Sequence, residues 1–315
     1  MEYISCNLCG STRSKLLFQL KDNFLGISDV KYNVVKCRDC KLVYLNPRPT
    51  AEEIHSFYTE DYYRAFLTGE ELLKERESQL LAKFEKIKHL PPGHLLDIGC
   101  QKGEFPFFMK QRGWEVKGVE FSTTPPNLFG IDIFYGTLEE AEFSPETFDL
   151  VTLWAVLEHV YHPRELLEEI HRILKPGGKV VLLVPNINSI PGRFMRHDDV
   201  PRHTTMFSKR TITKMLNITG FKVDHFHFSN DIFSGSTRGV LNYIIKLLSG
   251  EQIDDIVAQN RSRNRWHEFS CMLRGKESKL IKLIDRADAA ITPFIDDFMD
   301  RLQLGFIMTV EATRL

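Results

Sequence analysis

The sequence predicts a doubly wound, mostly parallel α/β sheet of seven strands, and three observations carry that prediction. Strand-like and helix-like segments alternate from residue 93 to residue 229. The helical stretch "RELLEEIHRIL" stops at "KPGG", and "VVLLV" follows at once, an unbroken apolar run of the kind buried on both faces of a parallel sheet. The stretch "HLLDIGCQKGEF" (94–105) joins another apolar run to a turn carrying an acid and two glycines. Strands are expected at 94–99, 115–120, 131–135, 148–154, 179–184 and 221–228. "GFIMTVEAT" (305–313) returns to strand character and closes the sheet. Between the fourth and fifth strands, Leu166, Leu167, Ile170, Ile173 and Leu174 share one helix face, as a helix packed on a sheet requires.

Other segments arrange themselves around this core of residues 93–229 plus 305–315. Residues 1–48 hold two close cysteine pairs. Residues 49–92 read as a helical connector: "TAEEIHSFY" opens on Thr50 with Glu53 three residues on, a capping-box pattern, and "KERESQLLAKFEKIKHL" spaces its apolar residues helically. "PPG" at 91–93 then breaks the chain. Residues 230–304 lose the strand pattern and read as a mainly helical insertion, with "GVLNYIIKLLSG", the basic "NRSRNRW" and "KLIKLIDRADAAI". "NYIIKLLSG" is short and not notably basic, so packing within the protein is expected rather than a membrane or partner surface.

Composition narrows the function. The 315 residues are 43% hydrophobic and 26% charged, with a formal net charge of −1. That balance supports a sizeable core and leaves no electrostatic footprint for nucleic acid or an anionic membrane. No stretch approaches the roughly 18 apolar residues of a spanning helix, and "MEYISCNLCGS" lacks a signal-peptide pattern. A cytoplasmic protein is expected.

Of six cysteines, Cys100 and Cys271 stand alone, while Cys6 with Cys9 and Cys37 with Cys40 form two Cys-x-x-Cys knuckles. Two such knuckles complete a closed tetrahedral shell of four thiolates, which is a structural site. Zinc is the expected ion, with iron or a redox pair as alternatives, and Lys15, Lys36 and Arg38 stand close in sequence to offset the charge.

The glycine turn sits where open parallel sheets bind ligands, beyond the carboxyl end of a strand. Gly99 and Gly103 permit a sharp turn and a close backbone approach, and Asp97 ends the strand. About twenty residues on, "VKGVEFS" ends a second strand on Glu120, placed to accept from ribose hydroxyls. A dinucleotide fits poorly. The Gly-x-Gly-x-x-Gly pattern is missing because Gln101 stands between the glycines, and Asp97 would repel a pyrophosphate. A cationic nucleoside without phosphate, such as S-adenosylmethionine, suits the turn.

Four motifs in order, "LLDIGCQKGEF", "VKGVEFS", "FDLVTLWAVLEHV" and "LKPGGKVVLLVPN", resemble the class I S-adenosylmethionine-dependent methyltransferases over residues 93–229 and the final strand. The resemblance implies a Rossmann-like core. It implies that Asp97, Gly99, Cys100 and Gly103 line the methionine side of the cofactor. Glu120 and Phe121 then belong at the ribose, Gly136, Thr137 and Leu138 border the adenine, and Trp154 and Ala155 lie under the sulfonium and substrate. Two departures stand out: Gln101 where the family has glycine, and "TTPPNLFGI" where it has a longer helix. The ribbon with "LVYLNPRPT" behind it resembles the N-terminal extension of members acting in sugar, polysaccharide and natural-product pathways, which implies that it helps shape the substrate cleft.

Methyl transfer is a displacement in which the cofactor carries the reactivity and the protein supplies orientation and, for a weakly acidic acceptor, a base. Two histidines qualify: His203 in "DDVPRHTTMFS", as base, acceptor anchor or lid pin, and His159 in "VLEH", with a structural role as its alternative. His225 and His227 share one strand face and receive no role. Tyr58, Tyr62 and Tyr63 are candidates to stack on a substrate or to fill core. The Glu-x-x-Glu-His metal motif of some quinone O-methyltransferases is incomplete, since Ala155 holds its first place, so no catalytic metal is expected; Asp198 and Asp199 read as a solvated pair. The expected function is methyl transfer from S-adenosylmethionine to an O or C atom of a small, carbohydrate-type acceptor. The alternatives are a degenerate binding module and a quinone or lipid O-methyltransferase.

Overall fold

The structure is a computed structural model that describes residues 1–22, 25–59, 70–122, 126–194, 199–233, 237, 240–248, 250 and 279–315. Tyr62, Tyr63, Thr123, Thr124, Pro125, Asp198, Cys271 and the "NRSRNRW" run lie outside the described residues.

Strands β4 (His94–Ile98), β5 (Glu115–Glu120), β6 (Ile133–Tyr135), β7 (Phe148–Trp154), β8 (Leu174–Pro185), β10 (Phe221–Phe228) and β11 (Ile307–Arg314) form one seven-stranded sheet. Their order is β10-β11-β8-β7-β4-β5-β6. The five strands from β8 to β6 are parallel; β11 runs antiparallel between β8 and β10. The chain leaves β4 toward β5 on one side and later returns to β7 on the other, so strand order reverses at β4, the place where such sheets open a crevice. Asp97 pairs with Gly118 of β5 and Thr152 of β7, which sets the acid at the centre of that edge.

Helix α3 (Glu104–Lys110) starts directly from the glycine turn, and helix α4 (Pro163–Ile173) packs Leu166, Leu167, Ile170 and Ile173 against the sheet. Leu174 departs from the expected helix face. Its backbone is already extended (φ −71°, ψ 146°), and it begins β8 opposite Phe148. The strand therefore includes the "KPGG" stretch, with Gly177 at φ +75° giving the bend that a side chain would oppose. His225 and His227 are exposed on β10, at the sheet's far edge.

A second, antiparallel sheet is made of β1 (Ser14–Leu20), β2 (Tyr32–Cys37), β3 (Val43–Leu45) and β9 (Thr205–Met206), in that order. Its last strand comes from the loop after β8, about 160 residues beyond β3 by the difference of their positions, so the cysteine-bearing segment is stitched to the loop that carries His203. The two layers share apolar packing: Leu8, Val35, Leu42 and Tyr44 belong to the same buried cluster as Leu153, Leu157 and Phe207. Thr50 caps α1 (Ala51–His55) through the reciprocal box with Glu53. Helix α2 (Glu70–Ile87) then leads to β4. Ser208 caps α5 (Ile190–Arg193)'s successor, α6 (Lys209–Ile218), with Thr211 as its partner. Helices α7 (Val240–Leu248) and α8 (Lys279–Arg301) lie in the segment before β11. No helix among the described residues is long and apolar enough to cross a membrane.

Candidate functional site

The glycine turn is backbone-driven. Gly99 (φ +72°) and Gly103 (φ +83°) both occupy the left-handed region, and a Cβ on Gly99 would meet Val156 Cγ2 at 2.5 Å. Gln101 adopts φ +50° as well, so the chain holds a glycine-like conformation with a non-glycine residue. Its side chain is exposed, and its backbone N–H donates to Glu120 Oε2 at 2.8 Å. Ala155, at the end of β7, is a second non-glycine residue in that region (φ +59°). Two such outliers at the same sheet edge mark a constrained rim.

Asp97 is 2% exposed and accepts from Thr152 Oγ1 at 2.6 Å. Burial pushes its carboxyl up to about 7, an effect opposed by the Lys83 ammonium and the Thr152 hydroxyl. Glu120 is 7% exposed and takes backbone N–H bonds from Gln101 on Oε2 and Ser122 on Oε1. Burial raises its pKa, and those N–H groups oppose the shift. The carboxylate's acceptor capacity exceeds these backbone bonds, which leaves room for a ribose hydroxyl. The fit to a nucleoside is therefore chemical as well as topological.

Other predicted contact residues divide by direction. The Cys100 side chain packs toward Gly118 of β5, where an added Cβ would meet its Sγ at 2.5 Å, and burial raises its thiol pKa. Leu138 is buried in the main core. Any contact that Cys100 or Leu138 made with a cofactor would fall to the backbone. Gly136 (φ +154°) is held by its N–H to the Glu120 carbonyl, and Thr137 N–H is turned toward Glu140 Oε2. Phe121 is 61% exposed and stacks on His55 with centroids 5.4 Å apart. Trp154, 6% exposed, meets Phe105 edge-on at 5.3 Å, and its Nε1 has no hydrogen-bond partner among the described residues.

Just beyond Ala155 the structure gathers a second group. His159 and His203 meet edge to face at 4.6 Å, and Tyr58 Oη lies 3.0 Å from His159 Nδ1. Burial, with the neighbouring His203 adding to it, pulls His159 down to about 3, so its ring is neutral at ordinary pH. The loop bearing His203 is pinned over the 155–160 segment by Thr204 and Thr205 N–H bonds to the Glu158 carbonyl, at 2.9 and 3.2 Å. Beneath it Arg202, fully buried, pairs with Asp22 at 3.0 Å and Asp199 at 2.5 Å. Asp199, expected as one of a solvated pair, is instead Arg202's partner, with a pKa that burial raises and the guanidinium brings below the usual carboxylate range. Potential ligand atoms of Glu158, His159 and His203 fall within 4.8 Å of one another, so the fold supplies a third donor that the sequence motif lacked.

Cys6, Cys9, Cys37 and Cys40 converge as well, with Sγ–Sγ distances of 3.4 Å (Cys6–Cys40) and 3.6 Å (Cys9–Cys37). These exceed a disulfide bond and approach the roughly 3.8 Å edge of a tetrahedron built on ~2.3 Å metal–sulfur bonds. Burial raises the Cys37 thiol, but the backbone N–H groups of Cys40 and Asp39 outweigh it and bring it to about 7. That favours the thiolate, the form that ligates, at Cys37, whereas burial raises the thiol of Cys6 and pushes that of Cys40 up to about 11.

Residues 70–225 match the family described as methyltransferase domain. This stretch is an S-adenosylmethionine-dependent methyltransferase domain. It contains α2, the glycine turn, both acids and both histidines of the site. The chain is 28% identical over 175 residues to an uncharacterized protein of Methanocaldococcus jannaschii, covering 52% of this chain and 79% of that one. It is 36% identical over 104 residues to a ubiquinone biosynthesis O-methyltransferase of Pseudomonas aeruginosa, covering 30% of this chain and 45% of that enzyme. It thus spans about half the length of the quinone enzymes it matches. Among solved structures, a SAM-dependent methyltransferase from Archaeoglobus fulgidus is similar over 82% of this chain and 100% of its own, at 17% identity and a TM-score of 0.49.

Residue reasoning missed Lys83, Arg202 and Asp22. Lys83 belongs to an amphipathic helix where lysine is unremarkable, and Arg202 and Asp22 become partners only when segments 180 residues apart meet. Gln101 yields a direct test of the rim. Gln101→Gly is expected to leave cofactor affinity within about twofold and to leave stability unchanged or raise it by up to about 1 kcal/mol, the relief of a left-handed non-glycine residue less the extra unfolded-state entropy. Calorimetry and thermal melts check this; a tenfold affinity loss would put the glutamine side chain on the cofactor.

Proposed function

We propose that this protein transfers the methyl group of S-adenosylmethionine to an O or C atom of a small, polar, carbohydrate-type acceptor, and that the four cysteines hold a structural zinc ion. The cofactor supplies an electrophilic methyl sulfonium. Asp97 and the turn backbone take its amino-acid end, Glu120 takes its ribose, and Trp154 and Ala155 border the sulfonium.

One observation carries the acceptor side: the Tyr58, His159 and His203 polar group stands immediately past Trp154–Ala155, where an acceptor would approach. A histidine held near 3 is too weak a base to take an acceptor's proton near neutrality, which leaves that duty to His203. His203 Nδ1 accepts from the Asp199 backbone N–H at 3.3 Å, so the neutral ring carries its proton on Nε2. In this state His203 offers a donor, and it anchors the acceptor. It becomes a base only when the long Asp199 contact opens and the proton changes nitrogen.

The test is kinetic. His203→Ala is expected to lower kcat/KM about 100-fold with the cofactor Kd unchanged. His203→Gln, which keeps an N–H donor, recovers most of the loss if the ring anchors and none if it is the base. An alanine variant with full activity removes His203 from the site.

A quinone O-methyltransferase is the second reading. It is favoured by the Glu158, His159 and His203 grouping, whose ligand atoms suit a divalent cation. It predicts that a chelator abolishes turnover of a phenolic acceptor and that added divalent ion restores it, whereas the carbohydrate reading predicts no such dependence.

A further inference from the structure

We propose that a basic face shared by the cysteine ribbon and the methyltransferase layer docks an acidic segment of a partner protein. Lys15, Lys36 and Lys41 of the ribbon and Arg193 and Arg210 of the larger layer build this face.

Strand register fixes the ribbon's share. Lys15 of β1 pairs with Lys36 of β2, Lys36 with Val43 of β3, and Val43 with Met206 of β9, so one row crosses all four strands. Residues opposite one another in such a row point to the same face. Val43 and Met206 are buried in the apolar cluster of Ile54, Ile187 and Val200, and β1 is the outer strand, so Lys15 and Lys36 occupy the outer end of that face. Cys37, next in the chain, points the other way, into the cluster that holds Cys6, Cys40 and Tyr44. The two lysines, expected to offset the thiolate charge, thus stand on the face away from the cysteines. The methyltransferase layer adds two cations. Helix α6 starts three residues past Met206 and carries Arg210 in its first turn, and Arg193 ends α5. Beyond its burial, the strongest fields on Lys36 come from Lys15, Arg193, Lys41 and Arg210, and all four are positive. Among the described residues none of these five cations forms an ion pair with an acid. Like charges opposite one another in a sheet are destabilising. A chain with 42 acids and a net charge of −1 that leaves such a group uncompensated keeps it for a negative charge from outside.

Shape and surroundings then select the partner. Lys15, Lys41, Arg193 and Arg210 are exposed and Lys36 is half-buried, so the face is open and does not enclose a small anion. The row reaches the loop of His203 only through Val43 and Met206, both buried in apolar packing, so the face does not continue the acceptor cleft. Leu16 and Leu17, beside Lys15, and Phe194, beside Arg193, are exposed as well. Apolar side chains set among unpaired cations suit a protein interface with an acidic counterpart. A single-stranded nucleic acid stacks on successive aromatic rings, and Phe194 alone among these residues is aromatic. A bilayer surface takes an amphipathic helix, whereas the ribbon presents a strand.

The test is fluorescence anisotropy on the full chain with a labelled peptide of about twelve residues, glutamate alternating with leucine. A Kd below about 100 μM at ~50 mM salt is expected, weakening about tenfold by ~300 mM. Lys15→Glu with Lys36→Glu is expected to weaken the peptide about tenfold, and Arg193→Glu with Arg210→Glu, on the other layer, to do the same. Lys110→Glu with Lys222→Glu, which reverses exposed charges at the end of α3 and the start of β10, is expected to stay within about twofold. Thermal melts establish that each variant folds. Lys36→Gln relieves the repulsion, so it is expected to melt no lower than wild type while binding the peptide more weakly; a lower melting temperature would show that Lys36 is matched within the chain and overturn the docking role. No binding, or a loss in the control pair equal to that in the other two, also overturns it. An oligonucleotide or phosphatidylglycerol vesicles that bind as tightly as the peptide, with the same losses on charge reversal, overturn the protein partner in favour of another polyanion. Affinity for S-adenosylmethionine, by calorimetry, is expected to be unchanged in every variant, so failure of the docking face leaves the methyl-donor reading standing.

Discussion

Asp97→Ala is expected to weaken S-adenosylmethionine binding by about 100-fold, the largest single effect in the crevice. The carboxylate is buried at the carboxyl end of the central strand and, among the described residues, accepts from the Thr152 hydroxyl. A charge-assisted bond to the cofactor's ammonium is worth roughly 1.5–3 kcal/mol, and its removal also takes from Lys83 the larger of two carboxylate fields, leaving that of Glu104. The pH dependence has a defined sign. Burial raises the Asp97 pKa from 3.8 to about 7, so below that value the group is protonated and offers no charge. Affinity is therefore expected to fall about tenfold per pH unit as pH drops below 7, and Asp97→Asn is expected to flatten the profile. In the ligand-free protein the sign reverses. The folded state binds the extra proton between about pH 4 and 7, so this group's contribution to stability is complete below pH 4 and is lost as pH rises through 7. Calorimetry from pH 6 to 8 and melts of ligand-free protein check both limbs. An affinity that does not change with pH, together with an alanine variant that binds normally, would remove Asp97 from the site.

Stripping metal from the four cysteines, or replacing Cys37 with serine, is expected to lower the melting temperature by about 5–10 °C, a loss of a few kcal/mol in a chain of this size. The native protein is expected to carry one zinc ion per chain by elemental analysis. The damage should reach turnover as well, because β3 pairs with β9 and Asp22 of the ribbon holds Arg202, the residue next to His203. Cofactor affinity is expected to survive, since the turn, Asp97 and Glu120 sit on the other sheet. Asp22→Asn should reproduce part of the turnover loss without metal loss, because it leaves a buried guanidinium with one countercharge fewer. Metal-free native protein, or a stripped form with unchanged stability, would reduce the cluster to four thiols.

Much of the architecture was legible because parallel strands buried on both faces must be continuously apolar, and "VVLLV" and "HLLDI" allow no other reading next to helix stops and glycine turns. The start of β8 was not legible. Leu174 carries the right periodicity for the helix, and only its pairing with Phe148 draws the backbone into the strand. Tyr58 was legible as a candidate, but its contact with His159 bridges 101 residues of sequence. The Glu158, His159 and His203 grouping was hidden for the same reason. A motif scan sees neighbours in the chain, whereas the third donor arrives on a different loop.

The sequence by itself determined the alternation that builds the sheet, the acids at the ends of β4 and β5, and the four thiols at knuckle spacing. Each of these is a local pattern that backbone geometry or ligand chemistry can satisfy in few ways. Tertiary structure alone decided that β9 completes the ribbon's sheet, that Arg202 is sealed between Asp22 and Asp199, and that Lys83 stands over Trp154 at the crevice. Burial is the physical reason. Whether a charge is solvated, neutralised or left waiting for a ligand depends on which distant segments exclude water from it, and no spacing along the chain records that.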